Sequence, residues 1–334
     1  MNDKFGRKLK DLRISVTDRC NFRCRYCMPE ELYGEAFEFL KKDQVLSFEE
    51  IARLSKIFIS LGVKKIRLTG GEPLVRKNVP ELINSIFSIN KDVDIAMTTN
   101  GYLLKKHAKE LYDSGLKRLT VSLDTLDEKI FKEMSGKNFK VNNVLEGIDE
   151  AVKVGFKKIK INSVIKKGVN ENSILDLVEY SRSKNHILRF IEYMDVGTLN
   201  SWSKENVFST KSIKEIISKK YKIQPIDKNY PSETSDRYTF LDNKGEIGFI
   251  SSITNPFCDN CTRARITADG KLVTCLFSNK GMNLKSLLRS RKTDQEIINE
   301  ITKVWALRDD KYSLDRSNMK SEIKNKIEMF QTGG

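Results

Sequence analysis

The chain predicts an α/β fold, an incomplete (βα)6 barrel of the TIM type followed by a C-terminal α+β extension. Three observations carry this reading. Strand-like and helix-like runs alternate six times over residues 1–195, and repeated β-α units imply a parallel sheet with right-handed crossovers. Six units suit a curved, open barrel better than a closed one of eight. From about residue 196 the rhythm stops and shorter elements take over. The expected division is residues 1–195 as a partial barrel and residues 196–334 as a C-terminal region. At roughly 150 residues per domain, the length admits two units or one large barrel.

The strand-like runs are 12–17 (LRISVT), 65–69, 93–98, 118–123, 158–165 and 187–194. The first helix starts at a capping box, Ser47 with Glu50, and ends near Gly62. Helical spacing of apolar residues then marks 79–90, 103–114, 127–135, 142–155 and 172–184. Residues 196–257 hold one helix pattern, 211–220, and short strands that read as a connecting layer. Residues 263–276 (RARIT-ADGK-LVTC) read as a hairpin turning at Asp269-Gly270. A polar, helical tail over 284–328 leads to Gly333-Gly334.

Composition excludes several classes. With 17 Phe, 10 Tyr and 39% hydrophobic residues the chain is not of the disordered type. No segment approaches the ~18 apolar residues of a membrane span, and the opening MNDKFGRKLK lacks an apolar signal-peptide core. The expectation is a soluble, cytoplasmic protein with no membrane partner. A net charge of +15 would suit nucleic acid, but the lysines are scattered without a long run, so they read as a solvated surface. Only two histidines, His107 and His186, are present. Both read as structural, which leaves little room for histidine acid–base chemistry.

The six cysteines fall into two groups of three. Cys20, Cys24 and Cys27 form C-x3-C-x2-C just after the first strand, where a β-α barrel places its chemistry. Cys258 and Cys261 form C-x2-C, and Cys275 closes the hairpin that follows. Such grouping in a cytoplasmic chain argues for metal rather than disulfides. A structural zinc takes four protein ligands, so each trio falls one short unless a distant residue completes a zinc knuckle or ribbon. An iron–sulfur cube on three thiolates keeps one iron open for a further ligand.

Arg13, Arg67, Lys160 and Arg189 each sit inside a strand-like run between apolar neighbours. Neither face of such a sheet is freely wet, and a lone buried cation costs several kcal/mol. Four of them suggest a polyanion inside the barrel, unless carboxylates pair them. Arg263 and Arg265 alternate on one face of the hairpin, beside the second trio, and guanidinium forks suit phosphate or the acceptor edge of a base. Gly70-Gly71, at the end of the second strand, let backbone approach a ligand or form an ordinary tight turn. No Walker or G-x-G-x-x-G motif occurs.

The C-x3-C-x2-C loop with Tyr26 inside it resembles the radical S-adenosylmethionine (SAM) superfamily, as does Thr69-Gly70-Gly71-Glu72-Pro73. Nearly the whole chain is similar to the superfamily's GTP 3′,8-cyclase family, through LRISVTDRCNFRCRYCMPE, RLTGGEPLVRK, TTNG, SLDTLD, KINSVIKKGVN, RFIEYMDVG, FCDNCTRARITADGKLVTCLF and the terminal Gly-Gly. The resemblance implies two [4Fe–4S] clusters on Cys20, Cys24, Cys27 and on Cys258, Cys261, Cys275. SAM would meet Tyr26, Gly71, Ser122 and Met194. Arg13, which also counts as catalytic with the first trio, would meet GTP together with Arg67, Thr98, Lys160, Arg263, Ala264, Arg265 and, as a weaker candidate, Arg189. A deoxyadenosyl radical would take hydrogen from ribose C3′, and C3′ would join guanine C8. The product would be (8S)-3′,8-cyclo-7,8-dihydroguanosine 5′-triphosphate, the first intermediate of molybdenum cofactor biosynthesis. Cyclic pyranopterin monophosphate synthase would use it next, and the chain would form a homodimer. The sequence assigns no reductant. Rival expectations are another two-cluster radical SAM enzyme acting on peptide or RNA, and a zinc-dependent nucleic-acid binder. Peptide modifiers carry more cysteines in the C-terminal region than the three here.

Overall fold

Each strand-like run folds as a strand within one or two residues of its expected bounds in the computed structural model, which describes residues 1–198, 202–316 and 326–333. These strands are β1 (Asp11–Ser15), β2 (Lys65–Thr69), β3 (Asp94–Thr99), β4 (Arg118–Ser122), β5 (Lys160–Ile165) and β6 (Ile187–Glu192). They pair in parallel in chain order. The helices between them follow the apolar periodicity. In Phe48–Ser60, Ile51, Leu54, Ile57 and Phe58 are buried, each contributing about 1.5–3 kcal/mol. The Ser47–Glu50 capping box holds, with Ser47 N donating to Glu50 Oε2 at 2.7 Å.

The C-terminal region departs from a connecting layer. Its strands are β7 (Ile223–Ile226), β8 (Asp236–Phe240), β9 (Glu246–Ile250), β10 (Arg263–Ile266), β11 (Lys271–Val273) and the two-residue β12 (Met282–Asn283). All join the same sheet, in the order β12-β11-β10-β1-β2-β3-β4-β5-β6-β9-β8-β7. β9 lies parallel to β6 and β10 parallel to β1. The physical reason is edge satisfaction: β1 and β6 would otherwise present rows of unpaired N–H and C=O groups. The sheet therefore runs unbroken past residue 195. Among the described residues its end strands β12 and β7 do not pair with each other, so it stays open. The expected hairpin forms between β10 and β11.

Alternation places one face of every strand on the helices and the other on a lumen. In β5, Ile161, Ser163 and Ile165 are buried against the helices, while Lys160, Asn162 and Val164 are half-buried on the opposite face. The sheet is curled. Arg67 on β2 and Arg189 on β6 would stand about 19 Å apart in a flat sheet, four spacings of about 4.8 Å, yet the charge of Arg189 bears on Arg67.

The tail helices Leu284–Arg289 and Asp294–Ala306 pack outside the sheet, burying Leu284, Ile297, Ile301 and Trp305. Residues 317–325 of the expected tail, and Gly334, lie outside the described residues. The chain end returns to the lumen as the short helix Met329–Thr332.

Candidate active site

The first trio sits in the loop after β1, and backbone contacts fix that loop. Gly71 N donates to Thr17 O and Glu72 N to Arg19 O, both at 2.8 Å. A Cβ on Gly71 would come within 2.4 Å of Arg19 O, and one on Gly70 within 2.5 Å of Thr17 O. The close approach these glycines allow is thus to the segment leading into Cys20. The buried Glu72 carboxylate accepts from Thr99 Oγ1 and Asn100 N, each at 2.7 Å, and burial pushes it up to about 7. Asn100 Nδ2 reaches Asn21 Oδ1 at 2.9 Å. Glu72 and Asn100, which the sequence reading did not single out, therefore tie the glycine turn, the end of β3 and the cysteine loop together.

Tyr26 donates to Asp124 Oδ2 at 2.7 Å, and Val164 N donates to Asp124 Oδ1 at 2.8 Å, so the loop is also anchored across the ends of β4 and β5. Burial pushes Asp124 up to about 6. Ser122 ends β4 on the lumen face, in register with Asn162. Met194 follows β6 and packs with Val196, Phe277 and Tyr312.

The second trio flanks the β10–β11 hairpin, with β10 paired beside β1, and it lies at the strand ends opposite the loop that carries the first trio. Its supports come from both chain ends. Arg7 Nη1 donates to Cys258 O at 2.8 Å and Asp310 O at 2.9 Å. Arg308 Nη1 donates to Cys261 O at 2.9 Å, and Nη2 to Cys261 Sγ at 3.2 Å. Asp3 Oδ2 holds both arginines, at 2.6 Å and 3.1 Å. No local signal marks Asp3, Arg7 or Arg308, which stand about 300 residues apart.

The thiols differ between the trios. Burial pushes Cys20 up to about 12, with Glu72 adding to it. Cys24 and Cys27 are also raised, by burial and then by neighbouring thiols. Burial likewise pushes Cys275 up to about 12. For Cys261 burial is outweighed by the charges of Arg263 and Arg308, which bring it down to about 7. Among the described residues no three His, Cys, Asp or Glu side chains converge on a point suited to one metal ion. A cube, with one thiolate per iron, accommodates wider spacing. The donor set fits: soft sulfur ligands in threes, half-buried in the loop after β1 and around the β10–β11 hairpin.

Between the trios lie the lumen cations. Some are matched by a carboxylate: Lys65 with Asp11 at 2.5 Å, Arg118 with Asp94, and Arg237 with Glu246 at 2.8 Å. By contrast, Arg13, Arg67, Lys160 and Arg265 have no carboxylate within ion-pair distance among the described residues. Burial and each other's charges depress them, Arg13 to about 10, Arg67 to about 9 and Lys160 to about 7. At about 8 Å and an effective dielectric near 20, each like-charge pair costs roughly 2 kcal/mol. Arg67 Nη1 is aimed by Thr98 Oγ1 at 3.0 Å and Thr120 Oγ1 at 3.1 Å. Arg265 Nη1 donates to Gly333 O, where the tail lies so close that a Cβ on Gly333 would meet Thr69.

Two expected residues stand apart. Arg189 pairs with the buried Glu233 at 3.0 Å. The side chain of Ala264 is fully buried and alternates away from Arg263 and Arg265, which leaves only its backbone for a ligand. His107 lies on a helix 3.6 Å from Glu110, and His186 is buried beside Tyr180. Neither reaches the lumen trios.

Comparison with known proteins agrees with this geometry. The family described as "Radical SAM superfamily" matches residues 14–181, and "Molybdenum Cofactor Synthesis C" matches residues 186–314. The chain is 46% identical to a GTP 3′,8-cyclase of Staphylococcus haemolyticus over all of this chain and 99% of that one. It is 45% identical to the Staphylococcus carnosus protein of the same name and 44% identical to that of Staphylococcus aureus, with the same coverage. Among solved structures, Streptococcus suis SuiB bound to S-adenosylmethionine superposes with a TM-score of 0.63 at 18% identity, over 93% of this chain and 68% of that one. That last likeness is one of fold.

Proposed function

This chain belongs to the GTP 3′,8-cyclase family of radical SAM enzymes, and from that premise we propose how its own residues divide the work. The reaction converts GTP to (8S)-3′,8-cyclo-7,8-dihydroguanosine 5′-triphosphate, a lyase step that opens molybdenum cofactor biosynthesis, and it uses SAM and [4Fe–4S] clusters. Cys20, Cys24 and Cys27 hold the cluster that, with SAM, supplies the hydrogen-abstracting radical. Tyr26, Gly71, Ser122 and Met194 hold SAM beside it. Cys258, Cys261 and Cys275 hold the second cluster at the guanine end.

Arg13, Arg67 and Lys160 bind the triphosphate. Thr98 and Thr120 aim Arg67, and Glu233 holds Arg189 in reserve at the lumen wall. Arg263, the Ala264 backbone and Arg265 face the purine. The tail, through Gly333, closes the lumen against water, which a carbon radical requires. The observation that carries this reading is the set of lumen cations without carboxylates, lying between two cysteine trios beside other lumen cations that are paired. The division of labour follows residues 1–195 for radical generation and 196–334 for purine binding. Family resemblance supports three finer statements: the product passes to cyclic pyranopterin monophosphate synthase, the chain works as a homodimer, and it does so in the cytoplasm. No helix of the described residues is long and apolar enough to cross a membrane.

The test is an anaerobic incubation of the cluster-loaded chain with SAM, dithionite and GTP, followed by mass spectrometry. Deoxyadenosine and a GTP isomer are expected in step. Deoxyadenosine released independently of GTP, with no isomer, would overturn the assignment.

A further inference from the structure

The second trio is gripped by a charged frame that the reaction itself does not call on. Asp3, Arg7 and Arg308 are almost fully buried, with side-chain exposures of 0%, 3% and 1%. Asp310 completes the frame, taking Arg308 Nε at 3.2 Å. The guanidinium of Arg308 lies over Trp305, 4.6 Å from the ring centroid, and Trp305 Nε1 donates to Arg7 O at 3.1 Å. Apolar residues of similar volume are often as stabilising as buried ion pairs of this kind. Stability alone therefore does not explain two arginines here. Their free ends do: both point at the cysteine loop, Arg7 at a carbonyl and Arg308 at a carbonyl and a sulfur. At the first trio Arg23 Nη1 donates to the Cys20 carbonyl at 2.8 Å, but among the described residues no guanidinium donates to a sulfur of Cys20, Cys24 or Cys27.

We propose that Arg308 is a positioning residue for the second cluster, orienting Cys261 and making that cluster easier to reduce than it would otherwise be. A donor and a positive charge at a ligating sulfur stabilise the more negative, reduced state, and outer-shell hydrogen bonds of this type tune potential. Arg7 shares the frame but touches no sulfur, so it supplies an internal control. The inference rests on the second trio being a cluster site.

The test compares anaerobically reconstituted wild type with Arg308→Met, Arg308→Lys and Arg7→Lys. Iron and sulfide are counted per chain, and the two clusters are titrated by electron paramagnetic resonance, told apart by their response to SAM. Arg308→Met is expected to make reduction of the second cluster about tenfold less favourable, a fall of about 59 mV for a one-electron couple, with the first cluster unmoved. Arg308→Lys recovers part of the shift, and Arg7→Lys leaves it near wild type. An unchanged midpoint in Arg308→Met at full iron overturns the proposal, as does an equal shift in Arg7→Lys. Should Arg308→Met lose its iron, Arg308→Lys decides: full iron with a lowered midpoint supports the role, and full iron at the wild-type midpoint overturns it. Iron loss in all three variants assigns the frame to folding and overturns it too. Zinc in the wild-type second trio would instead sink the underlying cluster reading, a failure visible before any variant is made.

Discussion

The two cysteine trios offer the same ligands in the same number, but they sit in opposite fields. Around Cys20, Cys24 and Cys27 stand the carboxylates of Glu72, Asp124 and Glu328. Around Cys261 stand Arg263 and Arg308, with Arg265 on the same strand. Asp310 bears on Cys275, and Asp3 stands behind Arg7 and Arg308. A multiply charged anion entering the lumen is therefore drawn toward the second trio and the inner cations and repelled from the first, and field asymmetry of this kind sets orientation as well as affinity. On the function proposed above, the ligand set suits each site to a cluster, and the surrounding charges select which small molecule each cluster meets.

The largest effect should come from emptying one trio at a time. Cys24→Ser should reduce deoxyadenosine release to background while GTP still binds. Cys275→Ser should remove the second cluster's iron and abolish the GTP isomer, yet leave a slow, uncoupled release of deoxyadenosine. Iron counts with product analysis by mass spectrometry would read both. If Cys275→Ser also abolished uncoupled deoxyadenosine release, the two sites would not be separable in the way their surroundings suggest.

A smaller effect should separate the paired from the unpaired lumen cations. Arg67→Ala removes an uncompensated charge facing the triphosphate and should raise KM by roughly 30–150-fold, about 2–3 kcal/mol, with iron content unchanged. Arg118→Ala removes a cation already matched by Asp94 and should cost less than about fivefold. Equal effects would show that carboxylate pairing does not distinguish substrate contacts from scaffold.

Local pattern made much of this legible. The six strands followed from apolar alternation, and the grouping of the cysteines into two trios from their spacing. Arg263 and Arg265 followed from their alternation in β10, and the same alternation already implies that Ala264 points away. What could not be read depends on contacts distant in sequence. Arg189 looks like a free cation until Glu233, forty-four residues on, meets it. β9 and β10 look like short independent strands until the edges of β6 and β1 claim them. The grip on Cys261 joins residues 3, 7 and 308, which no window spans. Even Gly71, correctly marked as a point of close approach, gave no indication that the approaching group is the carbonyl of Arg19.

The subtlest test lies in the titration of Lys160, which stands between the two fields. Burial, then Arg189 and Arg118, bring it from its ordinary 10.5 down to about 7. A bound triphosphate supplies the missing counter-charge and raises it again. Below pH 7 the ammonium is already present and GTP binds without proton exchange. Between pH 7 and the raised value in the complex, binding takes up as much as one proton, so affinity falls by up to about tenfold per pH unit. Titration calorimetry of the cluster-loaded chain at pH 8, in buffers of different ionisation enthalpy, should show this uptake, and Lys160→Met should remove it. Stability of the unliganded chain must move the other way. There the unfolded state binds the extra proton between pH 7 and 10, so melting temperature should rise across that window from this group, while the stabilisation conferred by GTP shrinks. Two pH dependences of opposite sign from one side chain are what an uncompensated cation awaiting an anion requires; no proton uptake at pH 8 would show that Lys160 already carries its proton in the free chain.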